Sequence, residues 1–268
     1  MRPSKWDSRI ARAAHLAKEY PFAKEALEFF QAVSKAQAQV YAAMESRLEG
    51  LSGTAQLLRD PLPPEEMFSH FPLLLSSIEG ESPEPLMHSA RVLRQRSSDE
   101  WRSLFGCCWQ SSSEAPPFGE SEIALARMFL QPIAESLAEH RTPHSNGRVP
   151  AACPYCLEKP TVGVLRPEGD GGKRSLICSL CATEWSYGRI LCPACGEQNV
   201  EKLAVYTTDQ FQHVRIEACD SCRYYIKTVD LTKTGRAVPV VDELATIPLN
   251  LWARDHGYKK LQPNLLGL

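Results

Sequence analysis

Eight of the ten cysteines in this 268-residue chain fall between positions 153 and 222, all in Cys-x-x-Cys pairs: Cys153 with Cys156, Cys178 with Cys181, Cys192 with Cys195, and Cys219 with Cys222. At this cysteine frequency chance supplies fewer than one such pair. Two intervening residues let the backbone curl until both sulfurs face one point, and two such knuckles complete a tetrahedron of thiolates around one metal ion. The gaps of 21 residues between Cys156 and Cys178 and 23 between Cys195 and Cys219 are near those of four-cysteine ribbons, in which a β-hairpin separates the knuckles. Consecutive pairing closes each unit locally at lower loop entropy, giving Cys153, Cys156, Cys178 and Cys181 one ion and Cys192, Cys195, Cys219 and Cys222 another. A nested arrangement, joining the middle knuckles across 182–191 and the outer ones around them, is the competing order.

Other cysteine chemistry fits less well. Structural disulfides need an oxidising compartment, which nothing here indicates. A thioredoxin-type pair needs a strand-to-helix turn in a βαβ frame, and twofold ribbon spacing suits single ions better than an iron–sulfur cluster. Zinc and iron both accept four thiolates, so spacing does not choose between them. Either ion supplies folding energy to a loop-rich region of about 70 residues that lacks a sufficient core. Adjacent Cys107 and Cys108 diverge and are expected to be small apolar residues of a helix. The seven histidines are scattered, and the sequence shows no phosphate loop, His-Glu-x-x-His run or nucleophile elbow. It offers no argument for an enzyme.

The elements that position the cysteines follow from periodicity. Residues 1–140 read as helical, with Phe22, Ala26, Phe29, Val33, Val40, Met44 and Leu48 at helical spacing. Prolines between 61 and 85 limit that stretch to short pieces. Helical pattern resumes over 101–109 and 121–140, where Pro132 is expected to kink the helix. After a polar, breaker-rich linker at 141–150 the texture turns to short β-type runs at 162–165, 175–177, 203–206, 213–216 and 224–229, each beside a cysteine pair. A closing helix is expected over 241–257, with Leu244, Ile247, Leu251 and Trp252 as its stripe. The chain is thus expected to be α+β: a helical domain at 1–145, four-cysteine ribbons of zinc-ribbon or rubredoxin type at 151–188 and 189–240, and a C-terminal helix and tail at 241–268.

Composition sets limits on partners. The chain is 43% hydrophobic and 23% charged with a net charge of −2, which excludes a disordered chain and a global basic field. Residues 151–268 carry 14 Lys/Arg and 13 Asp/Glu, with no basic run longer than Lys259-Lys260. A nucleic-acid face usually needs a basic stripe, so nucleic-acid binding is not expected. No run approaches the roughly 20 apolar residues of a membrane span, and no apolar leader opens the sequence. A cytoplasmic location without membrane insertion is the expectation; oligomeric state stays open.

The segment from Cys178 to Cys195, Cys-Ser-Leu-Cys-Ala-Thr-Glu-Trp-Ser-Tyr-Gly-Arg-Ile-Leu-Cys-Pro-Ala-Cys, is distinctive. With the preceding Cys-Pro-Tyr-Cys knuckle and the following Glu217-Ala-Cys-Asp-Ser-Cys-Arg-Tyr-Tyr-Ile-Lys227, it resembles the FdhE family of formate dehydrogenase accessory proteins. The ending Asp255-His-Gly-Tyr258, then Pro263-Asn264, is similar to that family's. The resemblance covers about the last 115 residues.

The resemblance implies a cytoplasmic assembly factor with two rubredoxin-like modules, which supports maturation of respiratory formate dehydrogenase and contacts its catalytic subunit. All eight paired cysteines match the family pattern, and iron is the metal it implies. Proline follows the first cysteine in two of the four knuckles, and glycine follows the second only at Cys195, departures that favour iron less strongly over zinc. Glu184, Trp185 and Arg189 are candidates for the partner-contact patch, since Trp and Arg are frequent interface anchors. The alternative is that Trp185 covers a module's small core while Glu184 and Arg189 pair locally. A nucleic-acid-binding zinc ribbon and a thiol or iron redox protein are the competing functional classes.

Overall fold

The computed structural model describes residues 4–48, 63, 65–110, 117–140, 151–169 and 171–268. The linker expected at 141–150 lies outside them. Among the described residues six α-helices lie in the N-terminal half: α1 (Lys5–Glu19), α2 (Lys24–Leu48), α3 (Phe71–Ile78), α4 (Glu84–Arg94), α5 (Ser98–Gln110) and α6 (Glu120–Glu139). Ser4 and Asp7 close a capping box at the start of α1. Pro72 and Pro85 sit in the first turns of α3 and α4, where a missing N–H costs nothing, so the proline-rich stretch yields short helices.

α6 runs on through Pro132. The missing N–H of that residue orphans the Met128 carbonyl one turn back. The buried Gln37 of α2 donates its side-chain amide to this oxygen at 2.8 Å. A defect in one helix is thus repaired by its neighbour. Phe71, Phe105 and Phe129 meet edge-on or tilted in the core these helices share, at centroid separations of 4.9–5.1 Å.

The C-terminal half is built on one seven-stranded sheet. Its strands are β1 (Pro160–Glu168), β2 (Gly171–Cys178), β3 (Glu184–Ser186), β4 (Leu203–Tyr206), β5 (Val214–Cys219), β6 (Tyr224–Asp230) and β7 (Lys259–Lys260). The order is β3-β2-β1-β6-β5-β4, with β7 also on β6. Neighbours within each ribbon are antiparallel, and the ribbons join through a parallel β1–β6 seam pairing Gly163 with Thr228. The closing stretch is two helices, α7 (Pro239–Ala245) and α8 (Ile247–Asp255), with Pro248 in the first turn of α8. Leu244 is buried as expected, but Leu251 faces solvent. Among the described residues no helix is long and apolar enough to cross a membrane.

Gly163 shows why the seam has its sequence. A Cβ there would lie 2.3 Å from the Oγ1 of buried Thr228, a hydroxyl with no hydrogen-bond partner among the described residues. Gly163→Ala is therefore expected to lose about 1–3 kcal/mol, the usual cost of overpacking. Adding Thr228→Ala should restore most of it. Urea unfolding of the two single variants and the double variant measures this; purely additive losses would show that the contact is not the cause.

Candidate metal centres

The two cysteine-bearing segments repeat one plan. A Cys-x-x-Cys turn leads into a strand, the chain returns as a second strand, a second turn follows, and a third strand leaves it. This gives β1, β2 and β3 in the first unit and β4, β5 and β6 in the second. Both returning strands end on the first cysteine of a turn, β2 on Cys178 and β5 on Cys219. Pairing within each hairpin thereby brings its two knuckles side by side.

Three of the four knuckles are closed by a backbone hydrogen bond of their own. Cys153 accepts from the Leu157 amide at 3.0 Å, Cys192 from Gly196 at 3.0 Å and Cys219 from Arg223 at 2.8 Å. The amides of Tyr155, Leu180 and Ala194 point at the sulfurs of Cys153, Cys178 and Cys192 at 3.3–3.4 Å. The residue after every second cysteine has a left-handed backbone: Leu157 (φ 61°), Ala182 (51°), Gly196 (78°) and Arg223 (61°). Such a conformation costs a non-glycine residue about 1–2 kcal/mol. Among the described residues it occurs at no other non-glycine position. The left-handed turn after the knuckle is therefore present four times, although glycine supplies it once.

The sulfurs gather as two consecutive sets. Cys153, Cys156, Cys178 and Cys181 form one, and Cys192, Cys195, Cys219 and Cys222 the other; within each set the ligand atoms lie within 4.8 Å of one another. In the first, Sγ–Sγ distances are 3.4 Å for Cys153–Cys181, 3.3 Å for Cys156–Cys178 and 3.6 Å for Cys156–Cys181. In the second, Cys192–Cys222 and Cys195–Cys219 are both 3.7 Å. A disulfide needs about 2.05 Å. A tetrahedron with metal–sulfur bonds of about 2.3 Å has an edge of about 3.8 Å. Four soft donors at that separation are compatible with one metal ion in each set.

The surroundings of the two sets differ. All four cysteines of the first are buried in the core that continues into the helical half. α6 is fastened across it: Arg127 donates to Glu158 and Ser179 at 3.4 Å, and Gln131 to the Ser179 carbonyl. In the second set Cys192 and Cys219 are buried, Cys222 is half-buried and Cys195 is exposed. Its supports are local. Tyr187 donates to the Cys192 carbonyl at 3.3 Å, Ser221 to Glu197 at 2.6 Å across the two knuckles, and Tyr258 to Asp220 at 2.7 Å. The Arg223 guanidinium lies 4.0 Å from the Tyr258 ring centroid. The ending Asp255-His-Gly-Tyr258 is thus a brace on the fourth knuckle.

Crowded thiols perturb one another. Burial pushes the Cys178 thiol well up, whereas hydrogen bonds from Cys156, Cys178 and Cys181 draw Cys153 down. A bound cation would replace the shared protons and favour four thiolates together.

The three candidate contact residues separate. Trp185 is buried in the core beside the first set, paired across the strands with Leu176. Glu184 receives two guanidinium donors from Arg166 at 2.8 and 2.7 Å, and does not pair with Arg189. Arg189 is exposed. Cys107 is half-buried and Cys108 buried on α5, and neither joins a cysteine set. Sequence reading noted Asn264 only as part of the ending and missed its role: its side chain donates to Glu243 at 2.9 Å and accepts from the Leu266 and Leu268 amides. It also missed the pair of arginines, Arg174 and Arg215, that converge on Glu217; no local spacing signals either.

A helical half carrying one sheet with two tetra-cysteine sets has the build of a metal-module protein. Known proteins give the same picture. The description "FdhE, central domain" matches residues 152–189, and "FdhE, C-terminal domain" matches residues 190–266. The protein FdhE homolog of Stutzerimonas stutzeri (strain A1501) is 30% identical over 286 residues, covering 96% of this chain and 88% of the relative. That of Aquifex aeolicus (strain VF5) is 34% identical over 140 residues, which span 52% of this chain and half of the relative. For the Shewanella oneidensis homolog the match spans 65% of the relative at 30% identity. The crystal structure of the FdhE protein from Pseudomonas aeruginosa shares the fold, with a TM-score of 0.68 over 99% of this chain and 97% of that one at 22% identity. The chain belongs to the FdhE family.

Proposed function

We propose that this chain is a cytoplasmic accessory protein for the maturation of respiratory formate dehydrogenase. It acts by binding the enzyme's catalytic subunit, not by catalysing a reaction of its own. Cys153, Cys156, Cys178 and Cys181 hold one metal ion and Cys192, Cys195, Cys219 and Cys222 a second. Iron is the metal we assign, on the family resemblance; zinc is the alternative that the same donors accept. The helical domain at 1–145, the ribbons at 151–188 and 189–240, and the tail at 241–268 are its working parts. The contact patch is assigned around Arg189 and the Glu184–Arg166 pair, with Trp185 supporting it from inside.

FdhE membership combined with the two tetra-cysteine sets carries this assignment. Loss of the gene is expected to abolish formate dehydrogenase activity while the enzyme's polypeptides are still made. Activity assays with immunoblots of the subunits check this, and normal activity in the deletion strain would remove the assignment.

A further inference from the structure

The repeat leaves one strand edge unfilled. In the first unit the leading strand, β1, is covered on its outer edge by β6, running parallel. Its counterpart in the second unit is β4, which among the described residues pairs with β5 alone and ends the sheet. Two apolar side chains are exposed beside this edge: Val205 of β4 is 54% exposed and Val200 just before it 64%. Unpaired edges of this kind are where extended polypeptides add to sheets.

A cavity of about 70 Å³ opens beside β4, lined by Leu203 and Val205, by Arg174, Arg215 and Glu217, and by Arg189 on the facing segment. That volume holds several waters, or the end of one acidic side chain. Arg174 is buried and donates to Glu217 at 2.8 Å, and Arg215 donates to the other carboxylate oxygen at 2.9 Å. Arg189 is the remaining cation, and among the described residues no acidic group forms an ion pair with it. A guanidinium set this way favours a planar carboxylate.

We propose that the open edge of β4 receives an extended segment of a partner polypeptide, parallel to β4 as β6 is to β1, with an acidic side chain of that segment seated in the arginine-lined cavity. Adjacent strands lie about 4.8 Å apart, so a glutamate on an added strand comes within reach of the long arginine side chains. The apolar rim at Val205 and the free backbone edge favour a polypeptide over a small free acid. This proposal does not depend on which enzyme the chain serves.

The test uses the metal-loaded full chain and three blocked hexapeptides: Val-Thr-Val-Glu-Val-Thr, its Gln counterpart, and the Glu peptide N-methylated at alternate residues. Calorimetric titration is expected to show the Glu peptide binding at least fivefold tighter than the Gln peptide and the N-methylated peptide not binding. Arg189→Gln should abolish the Glu–Gln distinction while leaving metal content and melting unchanged. Equal binding of Glu and Gln peptides, no loss on N-methylation, succinate binding as tightly as the peptide, or no binding at millimolar concentration would each overturn the proposal.

Discussion

Cys178→Ser is expected to release one of two metal ions and to loosen the junction between the helical half and the sheet. The cysteine is 1% exposed and belongs to the core shared with the helices. The serine would leave three thiolates without a full cage and bury a hydroxyl, for a combined loss of about 4 kcal/mol or more. Cys195→Ser makes the same chemical change at an exposed position and should also release one ion. Its damage should stay with the second ribbon, because among the described residues no helix of the N-terminal half joins a core with those cysteines. Elemental analysis and circular-dichroism melts of both variants separate the cases. Equal destabilisation would show that the difference in burial has no energetic meaning.

Glu243→Gln is the second substitution with a large expected effect. Glu243 is fully buried with Lys227, whose ammonium lies 2.9 Å from its Oε1; Lys260 reaches the same oxygen and Asn264 the other. Removing the one negative charge leaves two ammonium groups without a counter-ion, a loss of about 3–5 kcal/mol. For a chain of this size that is a drop in Tm of roughly 10 °C.

The same site fixes a pH dependence. Burial would raise the Glu243 carboxyl, but Lys227 and Lys260 outweigh it and bring it to about 2. A carboxyl depressed in the folded state stabilises above its unfolded value near 4.5, and that stability is lost as pH falls toward 2. Burial lowers the Lys227 ammonium from 10.5 to about 8, so between those values the unfolded chain holds more protons and stability from this group rises with pH. Urea titrations between pH 2 and 5 should show a steeper decline for the parent chain than for Glu243→Gln. Parallel declines would mean that Glu243 is not the group responsible.

How far the sequence could be read depended on the range of the interaction. The knuckles, the hairpins between them and strands such as Leu203–Tyr206 are local, set by cysteine spacing and β-type runs, and they fold where expected. The consecutive sulfur sets follow from loop length for the same reason. What stayed hidden is non-local. The β1–β6 seam joins residues 65 apart, and its one sequence trace, Gly163, has meaning only once Thr228 faces it. Lys227 read only as part of a short β-type run, because its counter-charge, Glu243, comes from α7. Trp185 fitted a surface anchor and a core residue equally well until the strand pairing turned it inward. The unequal exposure of the two cysteine sets arises from where α6 lies, which no knuckle sequence records.

X-ray absorption on protein purified without air, combined with metal-to-protein stoichiometry, tests the central claim most directly. Two ions per chain, each with four sulfur neighbours at about 2.3 Å and no light-atom ligand, is the result expected from the two sulfur sets. Fewer than two ions, or nitrogen and oxygen in place of sulfur around them, would contradict it.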